Sequence, residues 1–136
     1  MNYINFLMIL NLKLKNMDQI KKIEWILRIA VAGEFLGHGV LALGGKAAWI
    51  GWFNQLFGIE AGLAGQLLLI IGLLDLAVAA IVLVRPLPSV LLWATFWGFA
   101  TALVRPIVGE SILDFVERWA NWGAPLALYY VIKGRN

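Results

Sequence analysis

Hydrophobic and polar positions along the chain divide it into four long apolar segments separated by short polar breaks. A helix needs about 20 residues, at about 1.5 Å each, to cross a hydrocarbon core of about 30 Å. On that measure the pattern predicts helices at Ile23–Leu43, Ala61–Val84, Leu87–Val104 and Ile112–Ile132. The second is the cleanest, since Gln66 and Asp75 are its only strongly polar residues. Because backbone polar groups in lipid must be satisfied within the helix itself, the expected fold is all-α. It is an integral membrane four-helix bundle, antiparallel, with a short interfacial helix between the first two spans.

That interfacial helix is expected over Lys46 to Phe57, where Trp49, Trp52, Phe53, Leu56 and Phe57 fall at i, i+3, i+4, i+7 and i+8, one helical face. It serves either as an anchor in the outer interface or as a lid over something held between the spans. Leu-Val-Arg-Pro occurs at 83–86 and again at 103–106. Proline stops a helix and a preceding arginine suits its negative end, so both copies are expected to close spans. Residues 1–22 are expected as a cytoplasmic or interfacial segment ahead of a transmembrane domain over 23–132. The apolar run Ile4 to Leu12 lacks both a basic flank before it and a small-residue cleavage site after it, so it does not read as a secretory signal. Two expectations stand for residues 1–16: an extension upstream of a natural start at Met17, or an interfacial helix.

Charge orients the bundle. Lys13, Lys15, Lys21, Lys22, Arg28, Arg85, Lys133 and Arg135 fall on one side, and Lys46, Arg105 and Arg118 on the other. The richer side faces the cytoplasm, which places both termini there. Composition agrees: 62% of residues are apolar and 14% charged, against about 45–50% and about 25% in soluble domains. A net charge of +3 is explained by lysines and arginines at helix ends and gives no reason to expect nucleic acid as a partner. With no cysteine and one histidine, the chain offers no thiolate cluster and no bis-histidine haem site, so no covalently bound cofactor and no metal site are expected.

Polar groups within the spans carry the chemistry, because an ionisable residue in lipid costs about 2.5–3.5 kcal/mol and must face the interior or a partner. Glu34 and His38 share a face of the first span, and Asp75 sits in mid-second span beside Gly72 and Ala79. Glu110, Asp114, Glu117, Arg118 and Asn121 form one stripe on the fourth segment. Pro125 withholds a donor from the Asn121 carbonyl and so adds an acceptor to that tier. Counting at about 1.5 Å per residue puts Glu34 and Asp75 about 14–17 Å from the inner surface, as candidate proton handlers. His38, Glu117, Arg118 and Asn121 fall in the outer half with Arg105 at its rim, as candidate ligand-binding residues. Donors in that layer suit the carbonyls of a quinone headgroup. The same cations also suit structural ion pairs with Glu110, Asp114 or Glu117, tying the third and fourth spans together. The Gly33–Gly37 and Gly58–Gly62 spacings are expected to mark close helix packing.

Leu27-Arg28-Ile29-Ala30, Phe35-Leu36-Gly37-His38-Gly39, Gly45-Lys46, Leu56-Phe57-Gly58-Ile59, Gly72-Leu73-Leu74-Asp75 and Leu83-Val84-Arg85-Pro86 occur in that order. Together they resemble the DoxX-like family, over roughly Trp25 to Ile132. The resemblance implies a small four-span bundle of the bacterial cytoplasmic membrane, with some members tied to quinone-reducing thiosulfate oxidation or to membrane oxidoreductase complexes. Asp75 stands where that family is expected to carry glutamate, and the stretch from Glu110 to Asn121 is richer in ionisable groups than its general pattern. The leading expectation is therefore an accessory subunit, not catalytic on its own, that binds a quinone or similar lipid-soluble molecule in the outer polar layer. Its partners would be the lipid bilayer, a membrane or peripheral oxidoreductase, or a second copy of itself. The alternatives are a non-catalytic membrane scaffold or assembly protein and a small-solute or proton pathway.

Overall fold

In a computed structural model that describes residues 3–134, the described chain is all-helical. Its elements are α1 (Tyr3–Leu43), α2 (Ala47–Phe57), α3 (Ala61–Val84), α4 (Pro88–Ile107), α5 (Ile112–Val116) and α6 (Trp119–Lys133). Among the described residues, three helices are long and apolar enough to cross a membrane: α1 over Leu7–Leu43, α3 and α4. Their outward faces are apolar as well, with Ile70, Leu73 and Leu74 of α3 exposed. Hydrophobic residues all round a helix belong in lipid rather than water, and the chain is a membrane protein on this ground.

The helix ends follow from local chemistry. Pro86 bars Arg85 from helical geometry, and Arg85 is extended at φ −151° and ψ 90°, so α3 stops at Val84. The second Leu-Val-Arg-Pro acts differently from expectation. Pro106 lies within the last turn of α4, where it removes a single helical donor, and the helix runs on to Ile107. Its end is a Schellman turn in which Gly109, at φ 95°, lets the Glu110 amide reach the Arg105 carbonyl at 3.0 Å. The end of α1 repeats the device, with Gly45 at φ 62° and the Lys46 amide on the Leu41 carbonyl at 3.3 Å.

A single helix was expected over 112–132, and the structure breaks it at Glu117 and Arg118. The Arg118 guanidinium takes the Asp114 carbonyl at 2.7 Å, which a continuing helix would have given to the Arg118 amide. That amide turns instead to Phe115. The 15 residues of α6 span about 22 Å, short of a full hydrocarbon core. At the other end, residues 3–22 continue α1 without interruption, and the described side chains from Ile4 to Ile23 are exposed. Met1, Asn2, Arg135 and Asn136 lie outside the described residues.

Helix α1 runs antiparallel to α3, and α4 packs on α6, with α1 also touching α6. The first pair meets at Gly39 and Gly72, where a Cβ on either glycine would lie 3.0 or 2.9 Å from the other's carbonyl oxygen. The second meets at Gly98, whose added Cβ would come within 2.4 Å of the Asn121 carbonyl oxygen. Gly33 and Gly37 have nothing within 4 Å, and neither does Gly58, which caps α2 at φ 67°. The Gly-x-x-x-Gly spacing therefore faces outward, and the close approaches fall on other glycines. Val31, Phe35, Val82, Leu91 and Leu128 form the main core, drawn from α1, α3, α4 and α6.

Arg28 locks this end. Counted above as a flanking charge, it is 8% exposed, pairs with Glu24 and donates to the last carbonyls of α3: Nε to Val82 at 3.0 Å and Nη2 to Leu83. A cation at a helix C-terminus suits the dipole there.

Candidate functional site

The other end of the molecule holds a cavity of about 350 Å³. The helix α2 lies over it, contributing Trp49, Trp52, Phe53, Leu56 and Phe57, the same face that the helical spacing picks out. Opposite stand Leu68 and Ile71 of α3, and Trp97, Ala100, Thr101 and Val104 of α4. Its polar lining is His38, Thr101, Arg105, Arg118 and Asn121. Four of the five candidate ligand residues thus share one cavity. The fifth, Glu117, is not part of the lining: its side chain is 60% exposed and, among the described residues, pairs with Arg118.

Asp75 is in a different place from the one helix counting gave. Its Oδ2 lies 2.6 Å from His38 Nδ1, so the two residues assigned to separate layers touch. Counting measured each span from its own flank, whereas packing sets the register. Arg28 sits level with Val82 and Leu83, which slides His38 down α3 to Asp75. The carboxylate is buried and its imidazole partner partly open to the cavity, with side chains 2% and 27% exposed. The imidazole also lies against the Trp49 indole, ring centroids 4.4 Å apart. Glu34 is half-buried one turn before His38.

The arginines are held locally. Arg105 Nη1 donates to Glu110 Oε2 at 2.8 Å and its guanidinium lies 5.2 Å from the Trp52 ring centroid, a cation–π contact between α4 and α2. Arg118 pairs with its neighbour Glu117. Of the ion pairs expected between the third and fourth spans, Arg105–Glu110 forms, across the turn that follows α4, while Arg118 pairs with its sequence neighbour, and among the described residues no ion pair of these arginines reaches α6. Close contact between α4 and α6 falls to Gly98 and the backbone at Asn121. Gln55 Nε2 donates to the Val108 carbonyl at 3.1 Å and fastens α2 to the end of α4.

Trp97 and Thr101 of α4, not singled out in the sequence, also line this cavity. The indole N–H groups of Trp49 and Trp97 are buried with no acceptor among the described residues, and both rings line the cavity. The Trp122 N–H likewise has no acceptor among the described residues, and its ring is not part of the lining. The Thr101 hydroxyl gives its proton to the Trp97 carbonyl at 2.9 Å. Trp97, Thr101, Val104 and Arg105 fall at i, i+4, i+7 and i+8, a signal on α4 that marks the same wall.

These features define an all-helical membrane protein with an amphipathic cavity under a short aromatic helix. Comparison with protein-family models, with curated proteins and with solved structures gives no match.

Proposed function

We propose that this is a four-span protein of the bacterial cytoplasmic membrane, of the DoxX-like kind, with both termini inside. It binds the headgroup of a quinone or similar lipid-soluble carbonyl compound beneath α2 and serves as an accessory subunit to a membrane oxidoreductase. In this arrangement α5 and α6 together make the fourth crossing, with Glu110, Arg105 and Arg118 at the outer boundary.

The observation that carries this reading is the chemical bias of the cavity. Its walls are aromatic and aliphatic, while its polar groups are rich in donors: two guanidiniums, an amide and an imidazole. A buried donor left unpaired costs about 1–3 kcal/mol, so a molecule bringing acceptors into an apolar slot is the natural complement. At about 350 Å³ the cavity is near the lower end of ligand pockets, about 300–1,000 Å³. That size takes a headgroup and leaves an isoprenoid tail to run out into lipid.

The test is saturable quenching of tryptophan fluorescence by a decyl-substituted benzoquinone, with the protein in lipid nanodiscs. Ala100→Trp, which places an indole inside the cavity, abolishes the saturable phase if the headgroup binds there. Linear quenching that is identical in both proteins would mean that the probe only partitions into lipid.

A non-catalytic scaffold is the second reading. It draws on residues 4–23, whose described side chains are exposed on every side of α1.

A further inference from the structure

Asp75 presents a problem that the cavity resolves. A carboxylate in mid-span is costly unless its charge is balanced, and this one is 1% exposed. The charged groups around it are already committed. Arg105 of α4 faces Glu110, and Arg118, before α6, faces Glu117. Lys46, at the start of α2, lies 4.9 Å from the Trp49 ring centroid, with that ring also against His38. On α1 the nearest ionisable neighbour along the helix is Glu34, which is itself acidic. What remains to balance Asp75 is a proton, and His38 lies 2.6 Å away to share it.

We propose that His38 and Asp75 hold one proton between them and thereby present the imidazole Nε2–H to an acceptor oxygen of the molecule in the cavity, with Asp75 as a positioning residue. This rests on the cavity being a ligand site. With one shared proton, the pair is either an imidazolium beside a carboxylate or a neutral imidazole beside a carboxylic acid. In both forms Nδ1 is engaged with Asp75, so the other ring nitrogen carries hydrogen. Nε2 makes no hydrogen bond to any described residue, while the His38 side chain is 27% exposed and lines the cavity. The ligand class that follows is a lipid-soluble carbonyl compound, which binds more tightly than its hydrocarbon counterpart because it brings an acceptor to Nε2–H.

His38 is the only histidine of the chain, so selective ¹⁵N-histidine labelling gives an unambiguous imidazole spectrum at neutral pH. The expected result is a protonated Nε2 in the wild type. The companion measurement is binding of a decyl-substituted benzoquinone against decylbenzene as an apolar control. Asp75→Asn removes the carboxylate and frees the tautomer, and is expected to weaken quinone binding about tenfold, a charge-assisted bond lost, and decylbenzene binding not at all. His38→Gln leaves Asp75 an amide donor but puts no N–H where Nε2 was, and loses the same factor. An equal loss for both probes would show a structural role and overturn the proposal. A bare Nε2 in a wild type that binds the quinone would overturn the dyad alone. A protonated Nε2 in a wild type that binds neither probe would overturn the ligand site, and this use of the proton with it.

Discussion

Gly98 sets how closely α4 can approach α6, and replacing it measures what that approach is worth. In Gly98→Ala the new Cβ would lie 2.4 Å from the Asn121 carbonyl oxygen and 2.9 Å from its carbonyl carbon, where ordinary contact begins at 3.4 Å. The obstacle is backbone, so no rotamer change relieves it and the two helices must part by about 1 Å. Forcing a methyl into a packed site costs about 1–3 kcal/mol, offset by up to about 1 kcal/mol of better helix propensity. Gly33→Ala gains the same propensity and meets nothing within 4 Å, which makes it the control. Equilibrium unfolding in mixed micelles should therefore place Gly98→Ala about 1–2 kcal/mol below wild type, with Gly33→Ala at or above it. Asn121 lines the cavity, so the same change should also weaken ligand binding. Gly98→Ala matching Gly33→Ala in stability would refute the claimed close approach of α4 and α6.

Arg28→Ala removes the donors on the Val82 and Leu83 carbonyls and breaks a buried ion pair; it should lower stability by about 3 kcal/mol in the same assay. Gln55→Ala frees α2 from the Val108 carbonyl. At about 1 kcal/mol for the bond, dissociation of a bound quinone probe, followed by stopped-flow fluorescence, should quicken about fivefold with little change in stability. Trp97→Phe deletes an N–H that has no protein acceptor among the described residues. It should cost under about 1 kcal/mol of stability in the same unfolding assay, since no hydrogen bond to a described residue is lost.

Much of the fold was legible because hydrophobic periodicity and helix breakers act locally. Ala61–Val84 was readable to the residue, since an apolar run ends at a proline whose effect on Arg85 needs no tertiary information. The face of α2 was legible for the same reason, and it is the face that lines the cavity. What was not legible depends on register between helices. The Gly33–Gly37 spacing looks like a contact motif, yet the contact is made by Gly39 and Gly72, and nothing in one chain's sequence says which face of α1 meets α3. Measured from its own flank, each span gave His38 and Asp75 different depths, and packing brings them to 2.6 Å. The break at Glu117 and Arg118 arises from an arginine folding back on the Asp114 carbonyl, a side-chain choice that the polar stripe leaves undetermined. His38, Arg105, Arg118 and Asn121 were legible as a group because the cost of polar residues in lipid forces them inward. Glu117 has the same chemistry but an exit to the outside.

The proposed function requires a lipid-soluble carbonyl compound in the cavity. Native mass spectrometry of the protein, gently extracted from its own membrane, tests it most directly when wild type is set beside His38→Gln. Wild type carrying one extra molecule of quinone-like mass, lost from a variant that still accumulates, is the predicted result. A wild type that flies bare, or bound only to other polypeptides, would contradict the account and leave the molecule a scaffold.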